Sequence, residues 1–351
     1  MIRRIAAIVL SATLVSGCET VGYYSQAVGG HLALMSAARP AEEVIADANT
    51  APALRTRLET ALRIRAFAAR ELNLPDNASY TAYVELDSPY VVWNVFAAGE
   101  FSVEAKIHCF PVAGCVAYRG FFAEKDAHEF AGQLAAGGAD VFVAGVPAYS
   151  TLGWFDDPLL SSFMRGGDTE TARLVFHELA HQLVYVRDDS TFNESFATTV
   201  EQEGVRRWLM REGRAAEFDA FLAAQQRKGE FIALLEATRG RLEAVYRLEL
   251  PPAALRAKKR AEFDALRSRY EAAKARWGGY AGFERIFGRE PNNALLAAFS
   301  TYTQLVPAFE RLLSDAGGDL PAFYARVKEI ADLPQDERSA RLAALAGAGA
   351  S

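Results

Sequence analysis

The chain has 351 residues, 51% of them hydrophobic and 23% charged, with a formal net charge of −6. That composition supports a large buried core and excludes a disordered or fibrous chain. The acidic balance argues against nucleic acid as a partner, because polyanion-binding proteins carry a basic excess.

The N-terminus is the first informative segment. Arg3 and Arg4 precede an apolar stretch from Ile5 to Val15, which ends at Ser16-Gly17-Cys18. A stretch this short fits a secretory signal better than a bilayer-spanning helix, which needs roughly 20 apolar residues. Residues 1–17 are therefore read as a signal peptide. Leu14-Val15-Ser16-Gly17-Cys18 resembles the bacterial lipobox, and the resemblance implies cleavage before Cys18 and lipidation of its thiol. An ordinary secretory signal and an uncleaved anchor are the alternatives. Of three cysteines in the chain, Cys109 and Cys115 then remain as an even pair. An oxidising compartment favours a disulfide between them over two buried thiols. The expected location is the cell envelope, with the chain anchored to the membrane through Cys18 and facing the periplasm. Glu19 is not the aspartate linked to inner-membrane retention, which favours the outer membrane.

Residues 18–40, rich in Gly, Ala and Ser, read as a tether, with apolar residues that suggest part of it packs on the body. The remainder, 41–351, reads as one domain in two parts. Ala41 to Leu74 has apolar residues at helical spacing and closes at Pro75-Asp76-Asn77. Tyr80 to Val95, Phe101 to Phe122 and Asp140 to Ala144 are rich in Val, Tyr, Phe and Trp, and read as strands. Glu124 to Ala135 is a helical run between them. From Thr169 onward the pattern is almost wholly helical. A long helix pair is expected over 215–277, broken at Pro251-Pro252, with loops at Pro158–Asp168 and Gly278–Asn293. The expected fold is α+β, mostly helical, with a small β-rich part (75–168) packed on a helical part (169–351).

His177-Glu178-Leu179-Ala180-His181 matches HExxH. With five histidines in the chain, chance would produce this match in on the order of one such chain in 200. Residues four apart lie one above the other on a helix, so both imidazoles can reach one ion. Glu178 lies about 100° round the helix, beside that ion rather than among its ligands. Such a carboxylate suits a base acting on a metal-bound water. Asp168 or Thr169 is the expected helix cap. A catalytic zinc needs a third protein ligand, and no histidine lies beyond His181.

Downstream of His181 stands Thr191-Phe192-Asn193-Glu194-Ser195-Phe196-Ala197. This resembles the Asn-Glu motif of gluzincin metallopeptidases, both thermolysin-like enzymes and the leukotriene-hydrolase and aminopeptidase-N group. The resemblance implies one zinc ion held by His177, His181 and Glu194. Thr191-x-x-Glu194 is also a capping-box pattern, so service at a helix start is the alternative role for Glu194. Glu201 is a rival ligand, preferred as a group that orients a histidine from behind; Asn193 is placed in that outer layer too. Twelve residues lie between His181 and Glu194, fewer than in those relatives, so the connecting loop must be tight. The lipobox, the Cys109-to-Cys115 run, Gly145-Val146-Pro147-Ala148-Tyr149-Ser150, HELAHQ and NESFAT together resemble the putative aminopeptidase family of Gram-negative lipoproteins.

That resemblance implies hydrolysis of peptide substrates, with aminopeptidase preferred to endopeptidase. Glu178 is the expected base. Tyr302 is the candidate donor to the developing oxyanion, with a core role as the alternative. Gly145, Val146, Ala148 and Tyr149 are the candidate edge strand along which substrate lies, with a simple turn as the alternative. A zinc-stabilised envelope lipoprotein that binds a partner without catalysis is the competing reading. The intact Glu178 argues against it.

Overall fold

The computed structural model describes residues 22–110, 114–148, 150–288, 290–299 and 305–347. Within them the chain is α+β and mostly helical. Residues 22–37 form helix α1. The apolar residues of this stretch suggest packing on the body, and the helix lies there. Leu34 is buried in the main core, the Tyr23 ring meets Phe121 edge-on at 5.9 Å, and Gln26 donates to the Gly120 carbonyl. A helix this apolar gains more by burying one face than by staying solvated.

Next in the chain come β1 (Arg39–Pro40), α2 (Ala41–Ala46) and α3 (Pro52–Leu72). Proline at the first position starts α3, and Asn73 in the left-handed region (φ 53°) ends it. The strands are β2 (Ala82–Val84), β3 (Val92–Ala98), β4 (His108–Phe110), β5 (Gly114–Val116) and β6 (Tyr118–Phe121). Helix α4 (Glu124–Ala136), β7 (Asp140–Val146) and β8 (Leu159–Leu160) complete this part. The apolar run from Tyr80 to Val95 is broken at Asp87-Ser88-Pro89 into β2 and β3, because proline cannot donate to a ladder.

β2 pairs antiparallel with β1 and parallel with β8. β3 is the centre of an antiparallel sheet, with β6 on one side and β7 on the other edge. α4 covers one face of that sheet, packing on Val95 and Phe121. β4 and β5 form a hairpin in which Cys109 and Cys115 are register partners, with their sulfurs joined at 2.06 Å.

The stretch expected as a loop at Pro158–Asp168 holds β8 and the short helix α5 (Ser161–Met164). Leu159 and Leu160 are fully buried there. Proline and glycine punctuate the segment like a loop, while the strand partner that orders it lies far back in the chain.

α6 (Asp168–Leu183) and α7 (Ser190–Arg211) are the central pair. They approach closely because Gly204 has no side chain. A Cβ there would stand 2.6 Å from the Phe176 ring and 2.8 Å from Leu72, where α3 joins the contact. α8 (Ala215–Tyr246) and α9 (Pro252–Arg276) form the expected helix pair. That pair has its own core of Phe231, Leu242, Leu266 and Tyr270, closed by Phe287 from a 3-10 turn at Glu284–Phe287. α10 (Asn293–Ala298) covers the second face of the β3 sheet, against Phe96. α11 (Val306–Asp315), α12 (Leu320–Ala331) and α13 (Gln335–Gly347) close the main core, where Phe196 meets Phe309 and Phe323. Among the described residues, no helix is long and apolar enough to cross a membrane.

Candidate metal centre

α6 carries HExxH. Its N-cap is Gly167 at φ 86°, one residue before the expected Asp168. Asp168 and Glu170 occupy the first turn, where negative charge suits the helix dipole. Leu174, Val175, Phe176 and Leu179 are buried and fix the rotation of the helix. His177 and His181 then fall one turn apart on the face that meets α7.

The loop between the helices is tight, and it is fastened at two points. Asp189 caps α7 by accepting from the Phe192 amide at 3.0 Å, and its other oxygen takes the buried Arg338 guanidinium at 2.8 Å. Asn193 clasps Val186 with both ends of its amide, at 2.8 and 2.7 Å. Asn193 therefore pins the loop that leads into the helix bearing Glu194. Asp189, not Thr191, is the cap, so Glu194 lies beyond the first turn and its carboxylate is free to face α6.

His177 Nε2 and His181 Nε2 are 3.1 Å apart. Glu194 reaches them with its two oxygens, Oε2 at 3.3 Å from His177 and Oε1 at 3.6 Å from His181. These three residues form a group that could hold a metal ion. Zinc bonds imidazole nitrogen at about 2.0–2.1 Å, and a tetrahedron of that size separates its donor atoms by about 3.3 Å. Two imidazoles and a carboxylate at this mutual spacing fit one such ion.

His177 is oriented from behind. Its Nδ1 lies 2.8 Å from Glu201 Oε2, which fixes Nε2 as the nitrogen facing the centre. The buried Glu201 also accepts from Arg173 at 3.0 Å and from Gln225 of α8 at 3.2 Å. Arg173 is itself held by a bidentate pair with Glu170. Glu201 thus stands behind a ligand, not among the three converging donors. His181 has no matching partner among the described residues; its Nδ1 is buried and unbonded, so packing against the His177 ring (87° between planes) orients it.

Burial disfavours charge on every member, and the partners decide the outcome. For His177 the Glu194 and Glu201 carboxylates outweigh burial and raise its pKa to about 10. Burial and the His177 charge lower His181 to about 4. Glu194 and Glu201 are held below the usual carboxylate range despite burial, by His177 and by Arg173 respectively.

Glu178 faces another group of side chains. Burial raises its pKa, opposed by the charge on His177. Ser150 lies just beyond β7 and belongs to a turn closed on the buried Asp157, which accepts from the Thr151 amide and hydroxyl at 2.9 Å each. Tyr80 sits within electrostatic reach of Glu178, deeply buried, with its pKa pushed up by burial. Its backbone adopts φ 64°, an unfavourable value for a tyrosine. It is held there by its amide bond to the Asp157 carbonyl and by buried Arg65, which donates to the carbonyls of Ser79, Pro75 and Asn77.

Gly145 and Val146 lie on β7, the edge strand, with the Val146 carbonyl already spent on the Val91 amide. Ala148 packs against the main core. Tyr149, Tyr302 and Cys18 lie outside the described residues.

Two tyrosines that sequence reasoning passed over stand near the centre. The Tyr185 ring, just after α6, lies 6.4 Å from the His181 ring. Tyr118 on β6 is 36% exposed, yet desolvation of its hydroxyl, with the charges of Tyr185, Tyr23 and Glu194, raises its pKa. Burial likewise raises Tyr185, with Glu194 adding to it. Tyr185 stands four residues past His181, the spacing that continues a helix face, although α6 ends at Leu183 and the ring approaches from the loop. Tyr118 reaches the site only through sheet pairing and carries no local signal.

This helix pair, with two imidazoles and a distant carboxylate converging beside a second carboxylate, defines a candidate metal centre. The chain belongs to the family described as "Putative aminopeptidase", whose family model matches residues 22–342. No curated protein and no solved structure matches the chain.

Proposed function

We propose that the chain is a zinc-dependent peptidase of the gluzincin type, acting as an aminopeptidase. The observation that carries this reading is the convergence of His177, His181 and Glu194, one ligand atom of each lying within 4.8 Å of the others, with Glu178 one residue along α6. The family assignment supports it at the level of peptidase activity. His177, His181 and Glu194 would hold the ion. Bound there, zinc supplies the Lewis acidity that makes a water molecule acidic near neutrality.

The chain's own groups divide the remaining work. Glu178 takes the proton of the attacking water and passes it to the leaving amine. Tyr118 and Tyr185, kept protonated by their raised pKa values, are donors for the charge that grows on the scissile carbonyl oxygen, alongside Tyr302. The substrate backbone lies along the β7 edge, from Gly145 toward Tyr149. Glu201 holds His177 in the tautomer a ligand requires. The chain is anchored by lipid on Cys18, joined internally by Cys109–Cys115, and faces the periplasm.

The test is zinc content together with cleavage of free and amino-blocked peptides, for wild type and Glu178→Gln. Retained zinc with lost cleavage in the variant is the expected result. A zinc-loaded wild type inert on every peptide overturns the enzyme reading in favour of a binding module. Cleavage of blocked peptides overturns the aminopeptidase assignment.

A further inference from the structure

We propose that the outward face of α1 and the turn after Leu152 form one surface that seats on the phospholipid bilayer. The geometric part of this inference rests on the lipid-anchor reading of Cys18. Residues 22–38 contain no Asp, Glu, Lys or Arg. One face of α1 docks on the body, while the other leaves Val28 54% and Leu32 59% exposed. Residues four apart form one stripe on a helix, and His31 adjoins it. The His31 ring lies 4.6 Å from the Phe155 ring, so the stripe continues into Phe155 and Trp154, which are 52% and 85% exposed.

The turn that bears these two rings is built to hold them out. Thr151 is fixed to Asp157 through both its amide and its hydroxyl. The Phe155 amide donates back to the Thr151 hydroxyl at 3.0 Å, and the Trp154 amide to the Thr151 carbonyl at 3.1 Å. A contiguous apolar surface of this kind marks an interaction site. Tryptophan favours the interface between lipid and water, and an uncharged helix face can enter it without desolvating an ion.

Reach decides the occupant. Three residues lie between Cys18 and Gly22, four Cα-to-Cα steps, so at most about 14 Å separates them. Val28 lies only about 9 Å further along α1. A lipid on Cys18 therefore brings this surface to the bilayer before any other partner.

The experiment uses the full chain, acylated at Cys18, in phosphatidylcholine vesicles with or without brominated acyl chains. Wild-type tryptophan emission should lose intensity to the brominated lipid. Trp154→Phe should lack that component, and Leu32→Glu should weaken it with the lipid anchor intact. Equal quenching of wild type and Trp154→Phe overturns the proposal. So does a Trp154 signal already shielded without vesicles, which indicates a second copy on the surface. Intact mass reads the anchor separately. If Cys18 carries no lipid, the same vesicles are added to the unacylated chain. A blue shift of Trp154 emission then supports the surface, and an unchanged spectrum overturns it.

Discussion

Glu201 accepts the Nδ1 proton of His177 across 2.8 Å while holding Arg173 at 3.0 Å. The carboxylate therefore fixes both the ring orientation and the tautomer of one proposed ligand. Removing its charge should cost metal affinity without removing a ligand. Glu201→Gln is expected to weaken zinc binding by about 10–100-fold, the usual effect of losing such a partner. Competition with a chromogenic chelator measures it, with circular dichroism to check the fold. Unchanged affinity in a folded variant would show that packing alone orients His177.

Glu194 and Thr191 separate the ligand reading from the capping one. Asp189 already serves the start of α7, so Thr191→Ala should retain zinc at the wild-type ratio. Glu194→Ala removes one of three converging donors and should lose zinc during dialysis against a weak chelator. Elemental analysis of the dialysed proteins gives the ratios. Full retention by Glu194→Ala would remove that residue from the centre.

The parts of the site legible in the sequence are those written in local chemistry. Two histidines four apart, on a segment with buried residues at helical spacing, place themselves on one face of α6. The long pair α8 and α9 is equally local, since proline marks its break. Elements made by distant pairing were not legible. β2 meets β8 in parallel across more than seventy residues, and two residues are too few to leave a periodic signal. Tyr118 approaches Glu194 for the same reason, through β6 on β3. Asn193 shows the limit of the motif: sequence places it in the outer layer, but only the fold shows its amide closing the tight loop at Val186. The docking of α1 was partly legible: Gly, Ala and Ser suit a tether, but the apolar residues among them called for packing on the body, and Leu34 supplies it.

That loop makes a stability prediction. Asp189 caps α7 and pairs with Arg338, whose side chain is only 6% exposed. Losing a cap costs about 1 kcal/mol. Leaving a buried charge unpaired costs about 3–5 kcal/mol, of which Arg338 recovers part through the Leu333 carbonyl. Asp189→Ala should therefore lose roughly 3 kcal/mol in chemical denaturation. Asp189→Ala combined with Arg338→Leu should recover much of it, because no unpaired charge remains. A single variant within about 0.5 kcal/mol of wild type would mean that the pair and the cap contribute nothing measurable.

Glu203 sets a pH dependence remote from the metal centre. Burial pushes its pKa up, but hydrogen bonds from Arg206 and Arg207 outweigh burial and hold it below its ordinary 4.5. The carboxylate accepts from these two arginines at 2.6–2.7 Å on the outer face of α7. A carboxyl whose folded pKa is depressed binds its proton more weakly in the folded than in the unfolded chain. Its stabilisation is therefore complete above about pH 5 and disappears as the pH falls through the depressed value. Glu203→Gln should be less stable than wild type at pH 7, and the two unfolding midpoints should converge as the pH drops below 4. Both arginines are partly exposed, at 43% and 29%, so added salt should also narrow the difference at pH 7. A gap between the two proteins that stays constant from pH 7 to pH 3 would assign the loss to packing and not to the charge on Glu203.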